Sequence, residues 1–238
     1  MPGKTICALA LLLTSAAGTT AQAGLISFRS DDNHRAWTLA GAGGTITAAA
    51  GQLDPYVLLV DDHNGVLPPV AFQVSLSAQF NIVPTGTVNI AGSVLYTYQL
   101  NGVFTLSDWI TGAPLLTANV SGGATTSLGV QGRWGSSGNL QGNDQGTSSV
   151  TYSWNGPDLP AYQMFAGQTS VGPDDFGFTM TSINSLGQPG VQLSPAAPIP
   201  ATEWRSEGSF SGTAFFVPTP SVAGLIALGG LAATRRRR

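Results

Sequence analysis

From Val70 to Ile82 the chain alternates without a break. Val70, Phe72, Val74, Leu76, Ala78, Phe80 and Ile82 fall on one side, and Ala71, Gln73, Ser75, Ser77, Gln79 and Asn81 on the other. Successive side chains of an extended strand point to opposite faces, so this run builds a strand with one buried and one wet face. A helix would scatter the same residues around its circumference. Pro68 and Pro69 stand before the run and Pro84-Thr85-Gly86 after it. Proline cannot donate to a ladder, so the pattern predicts a strand bounded at both ends.

Shorter runs of the same kind follow: Val94, Tyr96, Tyr98, Leu100; Phe104, Leu106, Ile110; Leu116, Ala118, Val120; Val150, Tyr152, Trp154; and Phe176, Phe178, Met180. Turn chemistry separates them at Asn101-Gly102, Thr111-Gly112, Ser121-Gly122-Gly123, Asn155-Gly156-Pro157 and Gly172-Pro173. Asn101-Gly102 is the strongest hairpin signal, because both residues tolerate the positive φ of a tight turn. Leu25 to Arg29, Trp37 to Leu39, Thr45 to Ala49 and Tyr56 to Val60 are further strand candidates. Trp204, Gly208, Phe210, Ala214 and Phe216 read as a last strand. The Gly-, Ser-, Asn- and Gln-rich stretch Gly135 to Ser149 and the proline-rich Gln188 to Ala201 are expected as long exposed loops. About ten to twelve short strands with turns at regular spacing predict an all-β body, an antiparallel β-sandwich with jelly-roll-like winding.

Charge is scarce, at 9% of residues, while 42% are hydrophobic. A chain with so many periodic apolar residues buries a core and is not disordered. All twelve carboxylates lie between Asp31 and Glu207, and between Gly24 and Pro220 they face only four arginines. Such a surface repels phosphates, which argues against nucleic acid as a partner and favours cations. The single cysteine is Cys7, so the body from Gly24 onward has no disulfide.

Residues 1–23 have the order of a signal peptide: basic Lys4, an apolar run from Ile6 to Leu13, then Ala21-Gln22-Ala23, a small-x-small exit with cleavage expected after Ala23. The body spans 24–216. At the other end Val217, Pro218, Thr219 and Pro220 precede an uncharged helical segment over 221–234 and then Arg235, Arg236, Arg237 and Arg238. The two prolines hold the backbone extended and open to an enzyme. At ~1.5 Å per residue, Val222 to Ala233 spans about 20 Å of a ~30 Å hydrocarbon core, short for a permanent anchor. Arginines stay on the cytoplasmic side, which places the body outside.

Motif, short hydrophobic helix and basic cluster, in that order over 217–238, resemble the PEP-CTERM sorting signal. The resemblance implies cleavage by an exosortase in a bacterium that makes extracellular polysaccharide, after transient residence in the inner membrane. Thr219 stands where the family pattern has glutamate. An ordinary tail anchor is the other reading of the same segment. The expectation is an exported, non-enzymatic envelope or matrix protein at the cell surface, handled by signal peptidase and exosortase.

Candidate chemistry is sparse. Asp31-Asp32, Asp61-Asp62 and Asp174-Asp175 are acidic pairs beside strand ends. Asp61, Asp62 and Asn64, with Gly65, offer hard oxygen ligands that suit calcium, and the same residues are what β-turns use. His34 and His63 lie next to acidic pairs, without a spacing that makes them meet. Glu203 and Glu207, the only glutamates, would stand about 13 Å apart on a strand, too far for a glycosidase pair. No catalytic residue is assigned. Trp109, Trp134, Trp154 and Tyr162 are candidates for a glycan-stacking platform, and the alternative function is a carbohydrate-binding module, calcium-dependent or not, that holds exopolysaccharide.

Overall fold

The computed structural model describes residues 21–29, 38–48, 55–62 and 65–217. The strands in chain order are β1 (Ala21–Arg29), β2 (Thr38–Ala42), β3 (Thr45–Ala48), β4 (Tyr56–Asp61), β5 (Val70–Ile90), β6 (Ser93–Asp108) and β7 (Pro114–Val130). They continue with β8 (Arg133–Asn143), β9 (Ser149–Trp154), β10 (Gln168–Thr169), β11 (Asp175–Ser185), β12 (Gln188–Pro189), β13 (Val191–Gln192) and β14 (Trp204–Phe216). A 3-10 turn covers Pro160–Tyr162. Among the described residues no helix is long and apolar enough to cross a membrane. The expected C-terminal helix lies outside the described residues, as does the expected signal segment up to residue 20.

The body is all-β, antiparallel and sandwich-like. β5 to β8 form a meander, β8 continues to β11, and β11 to β14. The far edge of β14 is shared: its C-terminal half pairs with β1 and its N-terminal end with β2. β1 leads to β4 and β2 to β3, and both β4 and β3 return to β5. Pairing therefore closes on itself, which hides most of the backbone edge.

A closed ring of this size has room inside for side chains only, and aromatic residues fill it. Phe104 meets Phe178, Phe210, Phe176 and Tyr152 at centroid distances of 4.9, 5.1, 5.8 and 6.2 Å, and Phe80 joins the same group. Most of these contacts are edge-to-face or tilted, the arrangement the ring quadrupole favours. A second cluster links Tyr98, Trp134 and Trp204. The alternation over Val74 to Ile82 survives intact, with the even-numbered residues buried.

Several expected turns are bends in longer strands. β5 passes Pro84-Thr85-Gly86 through a register shift and runs on to Ile90, and the chain reverses at Ala91 (φ 47°) and Gly92 (φ 89°). Asn101-Gly102 lies inside β6, where the pairing with β7 shifts between Leu100 and Gly102. A side chain at Gly102 would collide with the Gln79 carbonyl and Phe80, so glycine is required for close approach rather than for a hairpin. Ser121-Gly122-Gly123 marks the place where β7 exchanges β9 for β8 as neighbour, and the Asn101 Oδ1 accepts the Gly122 N–H at 2.8 Å. Bulges re-aim strands in this way without ending them.

Most of the expected loop Gly135 to Ser149 is strand β8, paired on both edges. Its glycines leave the room that larger neighbours take. A Cβ on Gly142 would strike Phe176 and Val150, and one on Gly138 would strike Met180. Ile110, expected in a strand, is 83% exposed in the β6–β7 turn. Thr111-Gly112 and Asn155-Gly156-Pro157 do lie in connections between strands.

Candidate functional site at the acidic end

The strand directions sort the charges. Asp61 and Asp108 close β4 and β6, Asp144 follows β8, Asp158 follows β9, and Asp174 and Asp175 open β11, all at one end of the body. Arg133, Arg205, Glu203 and Glu207 lie at the other end. The first and last strands meet at the acidic end, where Ala21 pairs with Phe216.

Asp174 is the most enclosed of these carboxylates, at 2% exposure. Its Oδ1 accepts the Phe215 N–H at 2.9 Å, and its Oδ2 accepts the Ser170 hydroxyl. Ser170 Oγ in turn accepts the Tyr152 N–H at 2.8 Å. Asp144 braces the same loop, taking the Val150 N–H on Oδ1 at 2.5 Å and the Asp174 N–H on Oδ2 at 2.9 Å. Burial disfavours the ionised form of Asp174 and pushes its carboxyl up to about 6, although the Ser170 and Phe215 hydrogen bonds pull the other way and Asp144 adds repulsion. Tyr152, buried and surrounded by Asp175, Asp174 and Asp144, has its phenol pushed well above the ordinary range, and its hydroxyl donates to the Asp175 carbonyl at 2.6 Å.

Two open depressions flank this network. One of about 630 Å³ is lined by Gly123, Gln141, Asp144, Ser148, Asp174 and Phe215. Another of about 300 Å³ is lined by Asp144, Ser148, Ser170 and Gly172. The Ser148 hydroxyl is buried without a hydrogen-bond partner among the described residues. Asp144 and Ser148 carry no sequence signal of their own, because they sit in the stretch that reads as loop, and Ser170 lies between the strand runs without a pattern of its own.

Among the other expected ligands, Asp62 serves a turn. Asp62 accepts the N–H groups of Gly65, Val66 and Leu67 at 2.9, 3.1 and 3.0 Å, which makes it the cap of the β4–β5 loop. Asp61 lies over Gly24, so closely that a side chain there would collide with the carboxylate. Asp61 and Asp175 belong to one cross-strand row with Gly24 and Thr213 between them, three spacings or roughly 14 Å apart. These two acidic pairs do not converge. Among the described residues, no group of three or more His, Cys, Asp and Glu comes together to hold a metal. Asn64, His63, His34, Asp31 and Asp32 lie outside the described residues.

The expected stacking platform is not assembled. Trp134 and Trp154 have no exposed surface, and Tyr162 is 7% exposed. Their polar tips are tied inward: Trp134 Nε1 donates to Tyr98 Oη at 2.7 Å, Trp154 Nε1 to the Pro157 carbonyl at 2.9 Å, and Tyr162 to the Pro68 carbonyl. Trp109, in the β6–β7 turn, alone keeps part of its surface in solvent. Glu207 accepts the Ser182 hydroxyl at 3.4 Å, and Glu203 is exposed beside Arg205 in a cavity of about 520 Å³. Compared with family models, curated proteins and solved structures, the chain matches none.

Proposed function

We propose that this chain is an exported, non-enzymatic envelope or matrix protein, carried out by its N-terminal signal and processed through its C-terminal tail by an exosortase. One observation supports this reading above the others: the strand leading out of the signal and the strand leading into the tail are paired neighbours, with Gly24, the expected mature start, opposite Thr213. Both membrane-directed segments then leave the body at the same end. The last described residue, Val217, has its carbonyl held by Gln168 Nε2 at 3.0 Å, directly before Pro218, Thr219 and Pro220. A chain fixed up to that point delivers the motif at a set distance from the body.

Ala21 and Ala23 belong to both the expected cleavage site and β1. Ala23 is fully buried. Cleavage after Ala23 would take Ala21, Gln22 and Ala23 out of β1, and the pairs from Gly24↔Thr213 to Ser27↔Phe210 would still hold β1 beside β14 in the mature chain. Mass spectrometry of the surface protein tests the proposal. A start at Gly24 and loss of Arg235 to Arg238 are expected, and an intact basic cluster on surface protein would refute the processing.

A glycan-holding role is the second reading. It draws support from the outer face of β6, β7 and β8, where Thr97, Thr126 and Asn139 form one row and Gln99, Ala124 and Gln141 another. Uncharged hydroxyls and amides suit a neutral polysaccharide. A glycan array on the protein, with Thr126→Ala as control, tests it.

A further inference from the structure

β5 outruns its neighbour. On the edge away from β6 it pairs with β3 only as far as Asn81, and the Ile82 N–H closes that contact on the Gly44 carbonyl at 2.7 Å. Beyond it, β5 keeps β6 on one edge through Ile90 but has no strand on the other among the described residues. Every residue from Thr85 to Ile90 is exposed. Of the segments outside the described residues, 49–54 joins β3 and β4, which pair with β5 only between Val70 and Asn81, 30–37 joins β1 and β2, which do not pair with β5, and both chain ends leave from the opposite end of the body. None of them starts beside this edge.

The same tip carries an apolar patch on its outer face. Val88, Leu95 and Leu128 are directly opposite one another across β5, β6 and β7. Ile90 and Val130 lie one row further out. Val88 is 53% exposed, Ile90 50%, Leu128 48% and Val130 54%. Between Asp62 and Arg133 the chain has one charged residue, Asp108, and it lies at the far end of β6. Natural edges are guarded by lysines or inward charges, and this one has neither, only Pro84 and the bulge beside it.

We propose that Gly86–Ile90 is the contact through which two copies of this chain pair, antiparallel and about a two-fold axis, into one continuous sheet. The charge distribution selects a second copy as occupant. The body carries eight more acids than bases, so copies repel one another except through this uncharged tip. An identical edge is self-complementary under a two-fold, with donors and acceptors exchanged between the same residues. Val88 then meets its own counterpart on the two-fold as an apolar cross-strand pair, and Ile90 stands opposite Gly86 of the second copy.

The test is sedimentation equilibrium of the full chain over a range of concentrations, beside Val88→Lys and Leu128→Lys. The wild type is expected to dimerise. Val88→Lys, which sets like charges across the two-fold, is expected to raise the dissociation constant about tenfold or more. Leu128→Lys, two strands away from the edge, should leave it within a few fold. Amide exchange at Gly86–Ile90 should slow as concentration rises. A monomer at every concentration would overturn the proposal. So would association that Val88→Lys leaves unchanged, which would point to the C-terminal tail, or association broken by Leu128→Lys alone, which would point to stacking of the faces.

Discussion

The Asp174 carboxylate, at the entry to β11, accepts the backbone N–H of Phe215 near the end of the last strand at 2.9 Å. This contact ties the loop before β11 to the segment from which the C-terminal tail departs. Its strength depends on a group that titrates within reach of ordinary buffers.

Because burial raises the Asp174 carboxyl to about 6, the folded state holds that proton more tightly than the unfolded chain, whose value is about 4. Its contribution to stability is therefore fully present below about pH 4 and lost as pH rises through about 6. Asp174→Asn keeps an acceptor for Phe215 and stays neutral. Thermal unfolding at intervals from about pH 4 to 8 should show the variant gaining on the wild type as pH rises. Parallel curves would remove Asp174 as the source.

Tyr98 Oη accepts the indole N–H of Trp134 and donates to the Pro198 carbonyl. Tyr98→Phe leaves a fully buried indole N–H without an acceptor, at a cost of about 1–3 kcal/mol. Urea denaturation gives the value. Combining it with Trp134→Phe should cost less than the sum of the single changes, since the orphaned donor is then gone.

Gly142 is filled from both sides, by Phe176 and Val150. Gly142→Val is expected to destabilise by about 1–3 kcal/mol through overpacking. The same substitution at Gly146, where nothing lies within 4 Å, tests the reading differently. There the penalty comes from the positive φ of 64° alone. If the two variants lose stability equally, packing is not what holds position 142 to glycine.

Asp62→Ala removes the acceptor for three backbone N–H groups and should loosen the loop from Gly65 to Leu67, seen as faster amide exchange there. If capping is its whole role, calcium moves the unfolding temperature of wild type and variant alike. A calcium-dependent rise seen only in the wild type would give Asp62 a metal-binding role instead.

The fold class was legible in the sequence because period-two patterning survives wherever one face is buried, as from Val74 to Ile82. Strand ends were harder to read. Pro84-Thr85-Gly86, Asn101-Gly102 and Ser121-Gly122-Gly123 carry the same residues whether a chain reverses or bends, and the choice rests on neighbours far away in sequence. β8 was hidden for a related reason: its small residues make room for Met180 and Phe176, a fact that belongs to the partners. At the candidate site the acidic pairs were visible, but Asp144, which braces Asp174 from thirty residues away, was not. The burial of Trp134 and Trp154 was not legible, because an aromatic at a strand end reads the same whether it faces the core or the solvent, and here both face the core.

The position of β14 has a consequence in time. It is the last strand to be made, and it lies between β11 on one side and β1 and β2 on the other. A chain made from its N-terminus can assemble the meander early, but the ring stays open until residues near Phe216 arrive. Closure between first and last strands is the longest-range contact in the body, the kind that forms slowly. Until then two unsealed edges face outward, so the interval in which this protein is most vulnerable to proteases and to its neighbours ends only when β14 is complete.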